Sequence, residues 1–250
     1  MIYIHQIKID VDALRESGSY VAGLPFLKNW ETLTLDSPVT FFVGENGSGK
    51  STLIEGIAVV AGFNPEGGSK NFNFSTRASH SDLCDHLRLT RGLDGKWRDG
   101  YFLRAESFYN VASNIEELDR IPAAAPKISE AYGERGLHEQ SHGESFLALM
   151  RERFFGRGLY ILDEPEAALS PSRILAMMRL MKQLVSKDSQ FIISTHSPIL
   201  TAFPGAAIYQ FGEQGLRRTA WERTDNVLLT KRFLSSPQSI LNVLFDEIES

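Results

Sequence analysis

Eight residues, Gly44-Glu-Asn-Gly-Ser-Gly-Lys-Ser51, fill the pattern G-x-x-x-x-G-K-[ST] completely. They follow an apolar run, Val39 to Val43, and precede a segment in which Leu53, Ile54, Ile57 and Val60 recur at helical spacing. The order is therefore strand, loop, helix. Glycines let successive backbone N–H groups turn inward around phosphate oxygens, and the positive end of the following helix dipole adds to the attraction. In this arrangement Gly44, Asn46, Gly47, Ser48 and Gly49 would form the phosphate cradle. Lys50 would bridge the β- and γ-phosphates, Ser51 would ligate Mg²⁺, and Thr52 would reach the α-phosphate. A glycine-rich turn that binds nothing is the plainer alternative, and it leaves the flanking strand and helix unexplained.

A second set of chemical groups follows another apolar run. Leu159-Tyr-Ile-Leu162 delivers Asp163 and Glu164 to a strand's carboxyl end, where open α/β sheets bind ligands. Asp163 would hold the Mg²⁺ hydration shell, and Glu164 would orient and deprotonate an attacking water. An Asp-Glu pair in that place is otherwise a helix cap and a solvated surface. Phe191-Ile-Ile-Ser194 is a further buried strand, and Ser194-Thr-His-Ser-Pro198 places His196 at the same sheet edge, within reach of a γ-phosphate. Between these groups lies His138-Glu-Gln-Ser-His-Gly-Glu-Ser145. Its Ser141 and Glu144 have capping-box spacing ahead of an apolar helical face of Phe146, Leu147, Leu149 and Met150. Ser141, His142 and Glu144 include the residue types of a hydrolase triad, but neighbours at a helix start cannot take that geometry, and no G-x-S-x-G turn occurs.

In order along the chain, "GENGSGKST", "SHGES", "YILDEPEAALS" and "ISTHS" resemble the Walker A, signature, Walker B with D-loop, and switch-histidine motifs of the ABC-type ATPases. That class is shared by transporter nucleotide-binding subunits and by SMC and RecF-like DNA-repair ATPases. The resemblance spans nearly the whole chain, which is also similar to small stand-alone bacterial proteins described as AAA-family ATPases. Ser141 and Gly143 match the Ser and second Gly of the signature LSGGQ, whereas Gln140, His142 and Glu144 depart from it. Ser170 stands where the D-loop usually has Asp, and "RAESFYN" puts Glu106, a further metal-ligand candidate, where the Q-loop has Gln.

The resemblance implies an α/β fold: a P-loop NTPase, here an ABC-type ATPase head with a central, mostly parallel sheet, an antiparallel β-subdomain and a small helical lobe carrying the signature. Residues 1–250 would form one domain, with lobe I at about 1–66 and 155–250 and an inserted β/helical lobe at about 67–154. It implies ATP and Mg²⁺ as cofactors and a homodimer on ATP binding, each site joining one P-loop to the Ser141 and Gly143 of a second copy. Hydrolysis would use Glu164, His196 and Lys50, and the cycle would drive or gate a partner process such as DNA repair or defence. A nucleotide-gated binding module of a defence complex, or the ATPase subunit of a transporter, are the competing readings. No N-K-x-D motif supports a GTPase.

The elements that must position these groups read as follows. Ile2, Ile4, Ile7 and Ile9 suggest an edge or meander strand, and Glu31 to Leu35 another. "NFNFSTR", "HLRLTR" and "GYFLRAES" suggest a small inserted antiparallel sheet. Ser170-Pro171 opens a helix along Ile174, Leu175, Met178, Met181 and Val185. Residues 207–212 and 215–220 suggest a hairpin, and Pro237 to Ile248 a closing amphipathic helix. Adenine contacts are open between Asn29 and Trp30, with core packing the plainer role for Trp30.

Composition sets outer bounds. The 250 residues are 42% hydrophobic with net charge −5, so no global basic field indicates DNA, which stays a partner to test. Lys70, Arg77, Arg88, Arg91, Lys96, Arg98 and Arg104 interleave with aromatics, but Asp82, Asp85, Asp94 and Asp99 dilute them, so a solvated β-surface is favoured over a nucleic-acid face. One cysteine, no signal-like N-terminus and no apolar run of roughly 20 residues point to a cytoplasmic protein without a membrane segment.

Overall fold

The computed structural model describes residues 1–65, 67–68, 81–93, 95–104 and 142–246. Its strands are β1 (Ile4–Ile9), β2 (Leu33–Thr34), β3 (Val39–Val43), β4 (Leu87–Arg91), β5 (Asp99–Arg104), β6 (Gly158–Asp163), β7 (Gln190–Ser194), β8 (Ala207–Gly212) and β9 (Gly215–Thr219). The α-helices among these residues are α1 (Val11–Glu16), α2 (Lys50–Ala61), α3 (Leu83–His86), α4 (His142–Arg153), α5 (Pro171–Val185), α6 (Asp225–Ser235) and α7 (Pro237–Asp246).

Six strands lie side by side in the order β5-β6-β7-β3-β8-β9, parallel except for the β8-β9 hairpin. The runs at β3, β6 and β7 are buried at every position because both faces of the sheet are covered. Phe41, Tyr160, Leu162, Phe191 and Ile193 face a core shared with α4 and α5. Phe42, Leu159, Ile161 and Ile192, one residue out of phase, face α2 and β1. On α5, Ile174, Met177, Met181 and Leu184 are buried, while Leu175, expected on that face, is exposed. Ser170 stands at the helix start as expected, but its hydroxyl pairs with that of Ser172 and caps no backbone N–H.

An antiparallel β-sheet forms beside the main sheet as expected, but "HLRLTR" and "GYFLRAES" do not pair with each other in it. β4 pairs antiparallel with β1, making β1 the middle strand of a separate three-stranded sheet, β2-β1-β4, and not an edge. β5 joins the main sheet instead, parallel to β6 in register Tyr101 with Tyr160 and Arg104 with Asp163. Alternation alone does not choose between these partners, because both strands bury apolar side chains from the same segment. "NFNFSTR" lies outside the described residues.

One buried side chain ties the two sheets together. Gln190, at the start of β7 and fully buried, accepts from the backbone N–H groups of Tyr3 and Ile4 at 2.8 Å each and donates to the Ile4 carbonyl at 2.9 Å. Gln190→Leu strands these groups in an apolar interior. We expect a loss of about 2–4 kcal/mol, read in thermal unfolding by circular dichroism as a Tm drop of roughly 5–15 °C for a chain of this size.

Candidate functional site

The parallel strands bring their carboxyl ends to one sheet edge, and each carries a different group there. After β3 comes the glycine loop. Gly44, Gly47 and Gly49 take φ values of 148°, 76° and 97°, which side-chain-bearing residues rarely adopt. Gly49 is also hemmed in: a Cβ there would lie 2.6 Å from the Phe26 ring. Lys50 opens α2, is 3% exposed, and donates from Nζ to the carbonyls of Gly44 and Glu45 at 2.9 Å each. Burial pushes the Lys50 ammonium below its ordinary pKa, with Glu164 and Asp163 opposing the shift. Inside the same loop the Ser48 hydroxyl is buried with no hydrogen-bond partner, as a group awaiting an acceptor would be. An inward-turned ammonium and an orphaned hydroxyl in a glycine-lined loop suit an anion such as a phosphate chain.

Asp163 ends β6 at 6% exposure. Its Oδ1 accepts from Ser51 Oγ at 3.1 Å and from the Ser194 hydroxyl, and its Oδ2 lies 3.6 Å from Arg104 Nε. Burial raises the Asp163 pKa, while Ser194, Arg104 and Ser51 pull it back down. The Ser51 hydroxyl beside one well-held carboxylate oxygen suits Mg²⁺, which takes few protein ligands and completes its shell with phosphate and water. Among the described residues no cluster of three or more His, Cys, Asp or Glu exists that would make an all-protein metal cage.

Glu164 sits in the left-handed region at φ 49° and ψ 50°, a costly conformation for a residue with a side chain. Two bonds at 3.1 Å hold it there, from its N–H to the Ser194 carbonyl and to the Ser194 hydroxyl. The turned backbone brings Glu164 Oε1 to 3.0 Å from His196 Nε2. His196 is itself fixed on both sides of its backbone: its N–H donates to Glu166, and its carbonyl accepts from Asn226 Nδ2 at 3.0 Å.

Ser51, Asp163, Glu164 and His196 are thus joined by contacts at one edge, with Lys50 next to Ser51 at the start of α2. Thr52 follows on α2. Glu106 and Ser141 lie outside the described residues, as does the side chain of His142, and Gly143 is described only as part of α4. His142 begins α4, so the "SHGES" stretch does open a helix. Glu144 pairs with Arg173 of α5 at 2.9 Å. Asn29 and Trp30 line a concavity of about 240 Å³ with Phe26, Tyr209 and Arg218.

Four further residues at this edge had no role assigned from the sequence, although Arg104, Glu166 and Ser194 fall inside the stretches quoted above. Arg104 bonds Glu55 of α2 at 2.7 Å while approaching Asp163. Glu166 has its pKa raised by burial against the opposing Thr195 hydroxyl and His196 N–H. Ser194 and Asn226 hold the backbones of Glu164 and His196. The signal for Arg104 was its position at the end of a strand, and that signal works only once β5 is known to lie beside β6. Removing the guanidinium in Arg104→Ala takes the shared cation from two mostly buried carboxylates, leaving Glu55 with the Ser81 N–H and Asp163 with the Ser51 and Ser194 hydroxyls. The expected loss is about 2 kcal/mol, read by denaturant titration, with Arg104→Lys recovering part of it.

Two family models match the chain: an AAA domain over residues 17–99, and an AAA domain whose description adds a candidate AbiEii toxin of a Type IV TA system over 137–202. A curated relative is the energy-coupling factor transporter ATP-binding protein EcfA2 of Streptococcus pyogenes serotype M5 (strain Manfredo). It is 27% identical over 195 residues, which cover 72% of this chain and 70% of the relative. Two solved structures overlap it at 17% identity. One is a candidate metal-chelate type ABC transporter in an inward-facing conformation, with TM-score 0.46 and 79% of each chain covered. The other is the SMC head domain from Thermotoga maritima, with TM-score 0.44 and coverage of 87% of this chain and 98% of that one. The first matched AAA-domain segment holds the P-loop, the second holds Asp163, Glu164 and His196, and the main sheet sets them edge to edge, so the chain is similar to AAA-domain ATPases in both of the segments that build this site.

Proposed function

We propose that the chain binds ATP with Mg²⁺ at the Gly44–Thr52 loop and hydrolyses it to ADP and phosphate, in a site completed head-to-tail by a second copy. The contact of 3.0 Å between Glu164 and His196, beside the phosphate loop, is the observation that carries this reading. A carboxylate whose backbone is held in a strained turn is fixed in direction, and an imidazole on one oxygen leaves the other to take a proton from water. His196, steadied by Glu166 and Asn226, would touch the γ-phosphate and report its loss to the strand end.

Lys50 would leave the loop carbonyls for the β- and γ-phosphates, while Gly44, Asn46, Gly47, Ser48, Gly49 and Thr52 surround the chain of phosphates. Mg²⁺, held by Ser51 and Asp163, would supply neutralisation of the charge on the phosphates. Glu106 would add a carboxylate near the metal. Ser141 and Gly143 would close the γ-phosphate from the second copy, at a helix start whose N–H groups and dipole favour an anion. ATP then holds the dimer together and hydrolysis releases it, and that cycle would drive or gate a partner process such as DNA repair or defence, in the cytoplasm. A transporter subunit is the second reading, favoured by the EcfA2 relative. It would require separate membrane proteins, since among the described residues no helix is long and apolar enough to cross a membrane.

Glu164→Gln is expected to cut ATP turnover by roughly 100-fold or more while leaving ATP bound, so that light scattering finds an ATP-dependent dimer. Adding Ser141→Arg should abolish that dimer, and a monomer under every condition would refute the sandwich. Turnover of the wild type is expected to rise on adding DNA under the repair reading, with Lys50→Ala inactive throughout. A flat response removes DNA as the partner and leaves the ATPase reading standing.

A further inference from the structure

The loop that carries His196 is held from outside the main sheet. Two side chains of the segment after β9 reach its carbonyls: Asn226 Nδ2 donates to His196 at 3.0 Å, and Trp221 Nε1 donates to Pro198 at 3.0 Å. Only the amide nitrogen of an asparagine can bond a carbonyl, so chemistry fixes the direction of the first contact. The same helix start also grips the strand beside the phosphate loop. Asp225 accepts from the Gln210 side-chain amide, and its own N–H returns a bond to Gln210 Oε1 at 3.4 Å. Gln210 is buried on β8 opposite Val43, the residue before Gly44. Two neighbours, Asp225 and Asn226, therefore span from the phosphate-loop strand to the His196 loop. In all of α6 only Val227 is buried, so this first turn is where the helix is fastened.

We propose that Asn226 is a positioning residue for the reaction, setting the His196 imidazole against Glu164, and that its link through Asp225 and Gln210 ties this setting to the phosphate loop. The inference rests on the ATPase reading above and adds to it a residue that acts through His196. The need for such a residue is physical. The side chains of His196 and Glu164 are 30% and 36% exposed, so water competes for both, and burial does not hold them together. Their separation of 3.0 Å is set by the two backbones instead. Ser194 holds that of Glu164. For His196, Glu166 holds the N–H and Asn226 holds the carbonyl. Without Asn226 the peptide after His196 is free to turn, and the imidazole turns with it. A misplacement of about 1 Å at a catalytic group can cost on the order of 100-fold in rate.

Asn226→Leu tests the proposal, because leucine keeps the branched shape and favours a helix but has no donor. On the full chain, kcat should fall at least about 10-fold, while ATP affinity stays within about twofold of the wild type. On a His196→Ala background the same substitution should cost nothing further, since it acts through that imidazole. A merely structural role would lower turnover on both backgrounds, and that result overturns the proposal, as does full turnover in Asn226→Leu. Trp221→Phe drops the other donor and keeps a ring against Lys231, so it repeats the cycle should Asn226→Leu melt early. Nitrogen NMR of the histidine rings, with His196 assigned by His196→Ala, gives a readout that needs no turnover. The His196 signal should move in Glu164→Gln, and Asn226→Leu should move it the same way. An unmoved signal in either variant overturns the positioning role whether or not ATP is hydrolysed. A signal that moves in a chain without turnover leaves that role standing and counts against the ATPase reading alone.

Discussion

Asp163 is a carboxylate at 6% exposure, and an acid so deeply placed is tolerated only when its oxygens are met. The groups that meet it come from separate elements: Ser51 from the first turn of α2, Ser194 from the end of β7, and Arg104 from the end of β5. Satisfying one acid therefore aligns three strand ends with the phosphate loop. Ser194 extends the arrangement, because its carbonyl and hydroxyl also hold Glu164 in its left-handed turn. Arg104 extends it in the other direction, through Glu55 to the middle of α2. Disturbing any of these groups reaches the phosphate loop through Asp163.

What the sequence reveals follows the range of the interactions. The phosphate loop is legible because its chemistry needs glycines and a lysine at fixed local spacing, and Asp163, Glu164 and His196 because apolar runs show where two buried strands stop. Arg104 is not legible: its partner is set by the pairing of β5 with β6, a contact across more than fifty residues that alternation does not specify. The same limit hides Gln190, which reads as a polar strand boundary and turns out to bridge two sheets through the backbone of Tyr3 and Ile4. Ser194 and Asn226 are common residues whose role appears only when their neighbours' backbones are in place. The misplacement of Asp99–Arg104 into an inserted sheet has the same origin, since a strand's direction is not written in its composition.

His196 joins the strand-end site to the C-terminal helices. Its side chain faces Glu164, and its carbonyl is held by Asn226 in the first turn of α6. A shift of α6 is therefore felt at the Glu164 contact, and a coupling of this kind acts in both directions.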